Sequence, residues 1–109
     1  MKRYVISSKS NIMRTGRYGE QDIITYDMVA QAYKDGIISL DVDPNMEFGT
    51  VASIGDYWFY FGGFTADEMN PDEFKRNVPE EDIIAEIFET LEDFRFNNPD
   101  EYSYYAAIL

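Results

Sequence analysis

The chain has 109 residues, of which 45% are apolar and 17% aromatic, a composition typical of one folded domain with a single core. It has no cysteine and no histidine, which excludes disulfides, thiol nucleophiles, imidazole catalysis and the usual zinc ligands. No apolar run approaches the roughly 20 residues that span a bilayer, and the N-terminal residues lack the apolar stretch of a signal peptide. We therefore expect a cytoplasmic protein.

The formal net charge is −12, from 21 acidic and 9 basic residues, and the charges are unevenly distributed. Residues 1–40 hold six basic and four acidic groups, whereas residues 41–109 hold three basic and seventeen acidic ones. This excess is above the net charge of about 2–8 that keeps a small domain soluble. Because carboxylates repel phosphates, direct binding to nucleic acid or to an anionic membrane is disfavoured. The charge favours a basic protein surface as partner.

The N-terminal half is predicted to contain a strand, a helix and a second strand. Arg3–Ser7 is typical of a short strand, and residues 8–19 form a polar, basic loop. A helix is predicted over Tyr26–Asp35, with Gly36 closing it and the preceding threonine as its N-cap. Alternating apolar residues then predict a strand over Ile37–Val42.

A β-hairpin is predicted from Glu47 to Phe61, with Gly55-Asp56 as its two-residue turn. This turn sets the pairs Ile54–Tyr57, Ser53–Trp58, Ala52–Phe59 and Val51–Tyr60. One face of the hairpin, predicted to join the core, carries Phe48, Ala52, Ile54, Tyr57, Phe59 and Phe61. The other face carries Val51, Trp58 and Tyr60.

The C-terminal half is predicted to be helical. An acidic connector over residues 65–77 contains one or two helical turns, with Asn70 as cap and Pro71 at the first position. A long helix, opened by Val78-Pro79, follows over Glu80–Phe94, and its apolar residues lie within an arc of about 140°. These residues are Ile83, Ile84, Ile87, Phe88, Leu91 and Phe94. Residues 102–109 form either a short final helix or a terminal strand.

Together these elements predict an α+β fold in a single domain over residues 1–109. We expect a small antiparallel sheet of three or four strands, packed by two or three helices.

Four carboxylates of the long helix, Asp82, Glu86, Glu89 and Asp93, are spaced 4, 3 and 4 residues apart. They lie within about 60° of one another, nearly opposite the apolar arc, in a row about 16 Å long. Such a row can imitate part of the phosphate ladder of a DNA strand. The simpler interpretation is the solvated polar face of an amphipathic helix. Against this, ordinary surface helices mix both charge signs.

Other chemical patterns in the sequence are weak. The alternation Asp41-x-Asp43-x-Asn45-x-Glu47 is similar to the start of a calcium loop, but Met46 stands where glycine is needed, so a turn is predicted. No nucleophile elbow, P-loop or dinucleotide fingerprint occurs. We therefore predict no catalytic residue, no cofactor and no metal, and a protein that is not an enzyme.

The aromatic residues supply candidate anchors for a partner, because tyrosine and tryptophan are enriched in binding hot spots. Tyr102 and Tyr105 are predicted to lie in the core. Trp58, on the second face of the hairpin, is left open between a covered and an exposed position.

The acidity resembles, by charge, that of the small acidic DNA-mimic inhibitors of restriction or CRISPR nucleases carried by phages and mobile elements. The residues that carry this resemblance are Asp67, Glu68, Asp72, Glu73, Glu80, Glu81, Asp82, Glu86, Glu89, Glu92 and Asp93. The segment Ala32–Leu40, which contains Tyr33-Lys34-Asp35-Gly36, is also similar to the Tyr-x-x-Gly stretch of anti-restriction proteins.

The resemblance implies a non-enzymatic protein that occupies the basic nucleic-acid channel of a nuclease. The expected partner-binding residues are Asp67, Glu68, Asp72, Glu73, Asp82, Glu86, Glu89, Asp93 and Trp58. The alternative is a small acidic accessory or self-associating domain with a merely solvated acidic helix.

Overall fold

The computed structural model describes residues 23–46, 49–62 and 66–109. In chain order their elements are α1 (Tyr26–Lys34), β1 (Ile38–Val42), β2 (Thr50–Ile54), β3 (Tyr57–Phe59), α2 (Pro71–Asn77), α3 (Glu80–Asn97) and α4 (Pro99–Ile108). One antiparallel sheet packs against the helices, which confirms the predicted α+β fold. The strand predicted at Arg3–Ser7, the basic loop and the core position of Phe48 lie outside the described residues.

Helix α1 begins where its sequence predicts and ends at Lys34, one residue before the predicted end. The Thr25 hydroxyl accepts a hydrogen bond from the Met28 backbone N–H at 3.2 Å, which satisfies one of the free donors of the first turn. Gly36 follows the helix with a φ of 83°, a conformation that glycine adopts without a steric penalty. Val29 and Ala32 are buried, so this face of α1 packs into the core.

The sheet has the order β1-β2-β3. Strands β2 and β3 pair as Ile54–Tyr57, Ser53–Trp58 and Ala52–Phe59, which confirms three of the four predicted hairpin pairs. The ladder does not include the predicted Val51–Tyr60 pair, because β3 ends at Phe59. On its other side β2 pairs with β1, from Ile38–Ile54 to Val42–Thr50.

The helices pack on one face of the sheet, as two ring contacts show. Phe94 of α3 meets Phe59 at 5.3 Å between centroids, and Phe74 of α2 meets Phe61 at 5.6 Å. The buried apolar cluster contains Ile24, Val29, Ala32, Ile38, Leu40, Ala52, Ile54, Phe59, Phe61, Ala66, Phe74, Ile83, Ile84, Ile87, Leu91, Tyr102, Tyr105 and Ala106. It takes residues from every element, which makes the described ranges one packed unit.

Helices α2 and α3 keep their predicted starts, and α3 runs further than predicted. The Asn70 side chain accepts a hydrogen bond from the Glu73 N–H at 2.8 Å, and Pro71 occupies the first position of α2. Helix α3 continues to Asn97, three residues beyond the predicted end. It stops next to Asn98 because a residue that precedes proline is disfavoured in helical conformation.

The C-terminal segment is a helix, and its tyrosines lie where the sequence predicts. Tyr102 and Tyr105 each have 0% of their surface exposed. The Tyr105 hydroxyl donates a short hydrogen bond to the Glu101 carboxylate one turn earlier. The strand alternative for residues 102–109 is therefore wrong. In the part of the chain that the structure describes, no helix has the length and apolar character needed to cross a membrane.

Candidate functional site

The acidic stripe, defined as Asp82, Glu86, Glu89 and Asp93, lies on the side of α3 that faces away from the core. Asp82, Glu89 and Asp93 are exposed and Glu86 is half-buried. The opposite side of the helix is buried through Ile83, Ile84, Ile87 and Leu91. Because α3 is continuous over these positions, the four carboxylates form one row whose spacing is fixed by the helix.

The acidic stripe has no ion-pairing cation in the part of the chain that the structure describes. Among the described residues, no lysine or arginine lies within 4.0 Å of any of its four carboxylates, and the ion pair on α3 joins Arg95 to Glu92 at 3.9 Å. Like charges three or four residues apart on a helix destabilise it by a few tenths of a kcal/mol per pair. Within the described ranges, no ion pair offsets this energetic cost of the stripe.

Phe96 is an exposed aromatic residue on the same side of α3. It is not among the partner-binding residues predicted from the sequence. Its side chain is 75% exposed, the largest value among the exposed large apolar side chains of the described residues. At 100° per residue Phe96 lies about 20° from Glu89, so it extends the acidic stripe towards the C-terminal end of α3. The signal was present in the sequence, because Phe96 falls outside the apolar arc that ends at Phe94.

The Phe96 ring, at the C-terminal end of α3, makes a cation–π contact with its neighbour Arg95. The Arg95 guanidinium lies 5.4 Å from the centre of the Phe96 ring, within the range of a cation–π contact. The same arginine is paired with Glu92. The outward side of α3 therefore combines four carboxylates with one accessible aromatic ring.

The acids of the connector form a second group on different elements. Asp67, Glu68 and Asp72 are exposed and Glu73 is half-buried. The connector is tied to the sheet, because the Thr50 hydroxyl donates to the Met69 carbonyl at 2.7 Å. The connector that carries these acids therefore lies next to β2, whose first residue is Thr50.

Trp58 lies on the face of the sheet opposite the helices. Its neighbour Phe59 points into the core against Phe94, and successive side chains of a strand point to opposite faces. Trp58 is 38% exposed and packs edge-to-face on Tyr60 at 5.2 Å. Trp58 therefore faces away from α3, and the structure does not bring it together with the acidic stripe.

The described part of the segment that is similar to a calcium loop, residues 41–46, contains a turn. Asp43 is 2% exposed, and its Oδ1 accepts hydrogen bonds from the Asn45 N–H at 2.8 Å and the Tyr60 hydroxyl at 3.3 Å. Its carboxylate is thus used within the fold. Within residues 23–46, 49–62 and 66–109, no three acidic side chains are grouped closely enough to hold a metal ion.

Comparison with protein-family models, with curated proteins and with solved structures finds no match. The protein is therefore described from its fold and its candidate site alone. The protein is an α+β domain in which α3, the longest helix of the described residues, presents to solvent an acidic row with no ion-paired cation among those residues.

Proposed function

We propose that the protein is a non-enzymatic binding domain that uses the acidic stripe of α3 to occupy a basic surface of another protein. The basic surface that fits best is the nucleic-acid channel of a restriction or CRISPR nuclease, where the stripe competes with phosphates. Such a partner acts in the cytoplasm. The observation that carries the proposal is the row of three exposed carboxylates and one half-buried one, with no cation of the described residues within ion-pairing distance.

The cost of the row supports a role in binding. A solvated helix face gains stability when both charge signs alternate, whereas the stripe repeats one sign over three turns. In a complex, the same charges attract a basic partner from a distance and raise its association rate. The repulsion is then relieved when the partner's lysines and arginines approach.

Phe96 supplies an apolar side chain that can be desolvated on binding, which the carboxylates do not. Charges at the rim of an interface contribute mainly to steering, while most of the binding free energy comes from a few desolvated side chains. Phe96 is an aromatic ring next to the stripe, and its burial on binding would contribute about 1.5–3 kcal/mol. We therefore assign Phe96 the role of anchor and the stripe the role of orientation.

The experiment compares binding of the full chain and two variants to a partner captured from host lysate and then purified. The stripe variant is Asp82→Asn, Glu86→Gln, Glu89→Gln and Asp93→Asn. The control variant changes four exposed acids outside α3, Asp27, Asp35, Asp56 and Asp100, to asparagine. Both variants change the net charge from −12 to −8, so they separate position from total charge.

We expect the stripe variant to bind the partner at least tenfold more weakly than the parent protein does. The control variant should lose clearly less affinity for the partner. Added duplex DNA should displace the parent protein from its partner, and the affinity should fall steeply with salt. Equal losses in the two variants would mean that net charge alone drives binding, and would reject the stripe as the site.

A further inference from the structure

A depression of about 360 Å³ lies where α1, β1, α2 and the start of α3 meet. Its size is at the lower end of the roughly 300–1,000 Å³ of small-molecule sites. Ile38 and Leu40 are the buried apolar part of its lining, with 1% and 7% of their surface exposed, and the half-buried Tyr33 also lines it. Lys34 and Lys75 complete one side of its chemistry. We call this feature the lysine depression.

The charged groups that line the lysine depression are two ammonium groups and one carboxylate. Lys34 and Lys75 are exposed, and among the described residues no carboxylate lies within 4.0 Å of either ammonium group. The carboxylate in the lining belongs to Glu80, the first residue of α3. The described part of the chain holds four basic residues, the other two being Arg76 and Arg95. The lining therefore has a local excess of one positive charge in a protein of net charge −12.

This local excess decides which ligand charge is favoured at contact. At physiological salt, charges separated by more than about 8 Å are largely screened. An ammonium group that touches a ligand therefore outweighs the more distant carboxylates of the surface. A lysine has three N–H donors and no acceptor, so both lysines favour an oxyanion. A phosphomonoester carries a charge of about −1.5 to −2 at pH 7, which two ammonium groups match better than they match a single carboxylate.

The apolar part of the lining favours a second feature in the same ligand. Contact with Ile38, Leu40 and Tyr33 removes apolar ligand surface from water, which is favourable, whereas inorganic phosphate has no such surface. Small-molecule sites typically combine an apolar lining with a few polar groups that fix orientation. Here the two lysines supply the polar groups and β1 supplies the apolar ones.

We propose that the lysine depression binds a free small molecule that carries both a phosphomonoester and an apolar group. The ammonium groups of Lys34 and Lys75 bind the phosphate, and the apolar lining contacts the rest of the ligand. None of the residues that line the depression belongs to the acidic stripe, so this proposal and the proposed function can fail independently.

The test titrates the full chain with phenyl phosphate and follows its amide NMR spectrum. Phenol, which lacks the charge, and inorganic phosphate, which lacks the ring, are the comparison probes. We expect phenyl phosphate to bind at least about tenfold more tightly than either, and to shift the amides of Gly36 and Leu40, which line the depression. Equal affinity for one of the comparison probes, or unshifted Gly36 and Leu40 amides, would overturn the proposal.

Two pairs of neighbouring residues separate the lysine depression from net charge. Lys75 lines it whereas the adjacent Arg76 does not, and both are exposed on α2. Lys75→Gln should weaken binding of phenyl phosphate by about fivefold or more, because a charge-assisted hydrogen bond is lost. Arg76→Gln makes the same change in net charge and should weaken binding by less than about twofold. Equal weakening in the two variants would show attraction by net charge and would overturn the proposal.

The second pair tests the opposite sign. Glu80 lines the lysine depression and the adjacent Glu81 does not, and both are exposed. Because the Glu80 carboxylate repels a phosphate beside it, Glu80→Gln should tighten binding of phenyl phosphate by about twofold or more, while Glu81→Gln should change it less. An equal gain in the two variants would contradict the assigned site. The amide spectrum of each variant shows that it remains folded.

A five-residue peptide with a central phosphotyrosine distinguishes a free small molecule from a phosphorylated partner protein. Its phosphate and ring are those of phenyl phosphate, and its backbone extends beyond the lysine depression. We expect the peptide to bind no more tightly than phenyl phosphate, which would support a free small molecule as occupant. Binding at least about tenfold tighter would assign the site to a phosphorylated protein and would overturn the proposal.

Discussion

The Tyr102 hydroxyl accepts a hydrogen bond from the Ile24 backbone N–H at 2.7 Å, joining two buried residues 78 positions apart. Ile24 comes just before α1, and Tyr102 lies in the first half of α4. The bond therefore links the start of the described chain to its last helix. It also explains why a polar side chain can lie fully buried in this core.

Replacing Tyr102 with phenylalanine should lower the free energy of unfolding by about 1–3 kcal/mol, since the buried Ile24 N–H then has no partner. Urea denaturation measures the change. Tyr104→Phe is the matched control, because the Tyr104 hydroxyl accepts from the Asp56 N–H at 2.9 Å in an exposed turn. Water can replace that bond, so we expect a loss below about 1 kcal/mol. Equal losses would show that burial does not distinguish the two bonds.

Gly55 should tolerate substitution less well than Gly36. Both have positive φ, at 62° and 83°, so alanine costs about 1–2 kcal/mol at either position. A Cβ on Gly55 would also collide with the Tyr104 hydroxyl and would lie 2.6 Å from Ile108 Cδ1, whereas Gly36 has nothing within 4 Å. We expect a larger drop in melting temperature for Gly55→Ala than for Gly36→Ala. Similar drops would mean that α4 moves away from the hairpin turn at little cost.

Truncation to alanine should destabilise the protein strongly at Phe94 and very little at Phe96, although the two residues are only two positions apart. Phe94 packs against Phe59 and Tyr105, so Phe94→Ala should destabilise by about 2–4 kcal/mol. Phe96 is 75% exposed, and Phe96→Ala should change stability by less than about 0.5 kcal/mol. Chemical denaturation of both variants checks this. A large loss in Phe96→Ala would show that Phe96 supports the fold and is not available as an anchor.

Tyr105 should make the fold less stable at alkaline pH. Burial, reinforced by the hydrogen bond to Glu101, raises the pKa of the Tyr105 hydroxyl above its ordinary value of about 10. Above pH 10 the unfolded chain loses this proton while the folded chain keeps it, so stability is present below about pH 10 and is lost as pH rises. Tyr105 should contribute a fall of up to about 1.4 kcal/mol per pH unit.

Tyr105→Phe tests this assignment. The variant should be less stable at neutral pH, but its unfolding free energy should fall less steeply between pH 10 and 11. Some slope should remain, because burial and Glu80 also raise the pKa of Tyr33. An unchanged slope would contradict the role of Tyr105.

Local signals predicted most of the fold. The Thr25 and Asn70 caps, the Gly55-Asp56 turn and the apolar arc of α3 each act within a few residues, and all four appear in the structure. The sequence predicts the end of α3 at Phe94, three residues before the observed end at Asn97. The prediction is short because Asn97 carries no strong stop signal of its own. The stop comes from Pro99, which acts on the residue before it.

Side-chain placement on a helix or strand was also predictable, whereas the relation between separate elements was not. The acidic stripe follows from residue spacing alone. In contrast, the separation of Trp58 from the stripe depends on which face of the sheet the helices cover. That depends on long-range contacts such as Phe59 with Phe94, which no local pattern specifies.

The most direct test of the central claim is the dissociation constant of the complex with a purified partner, measured at two salt concentrations for the parent and the stripe variant. We expect the parent to bind tightly at low salt and to lose affinity steeply as salt rises. We also expect the stripe variant to bind at least tenfold more weakly, with a shallower salt dependence. Equal dissociation constants and equal salt dependence for the two proteins would contradict it.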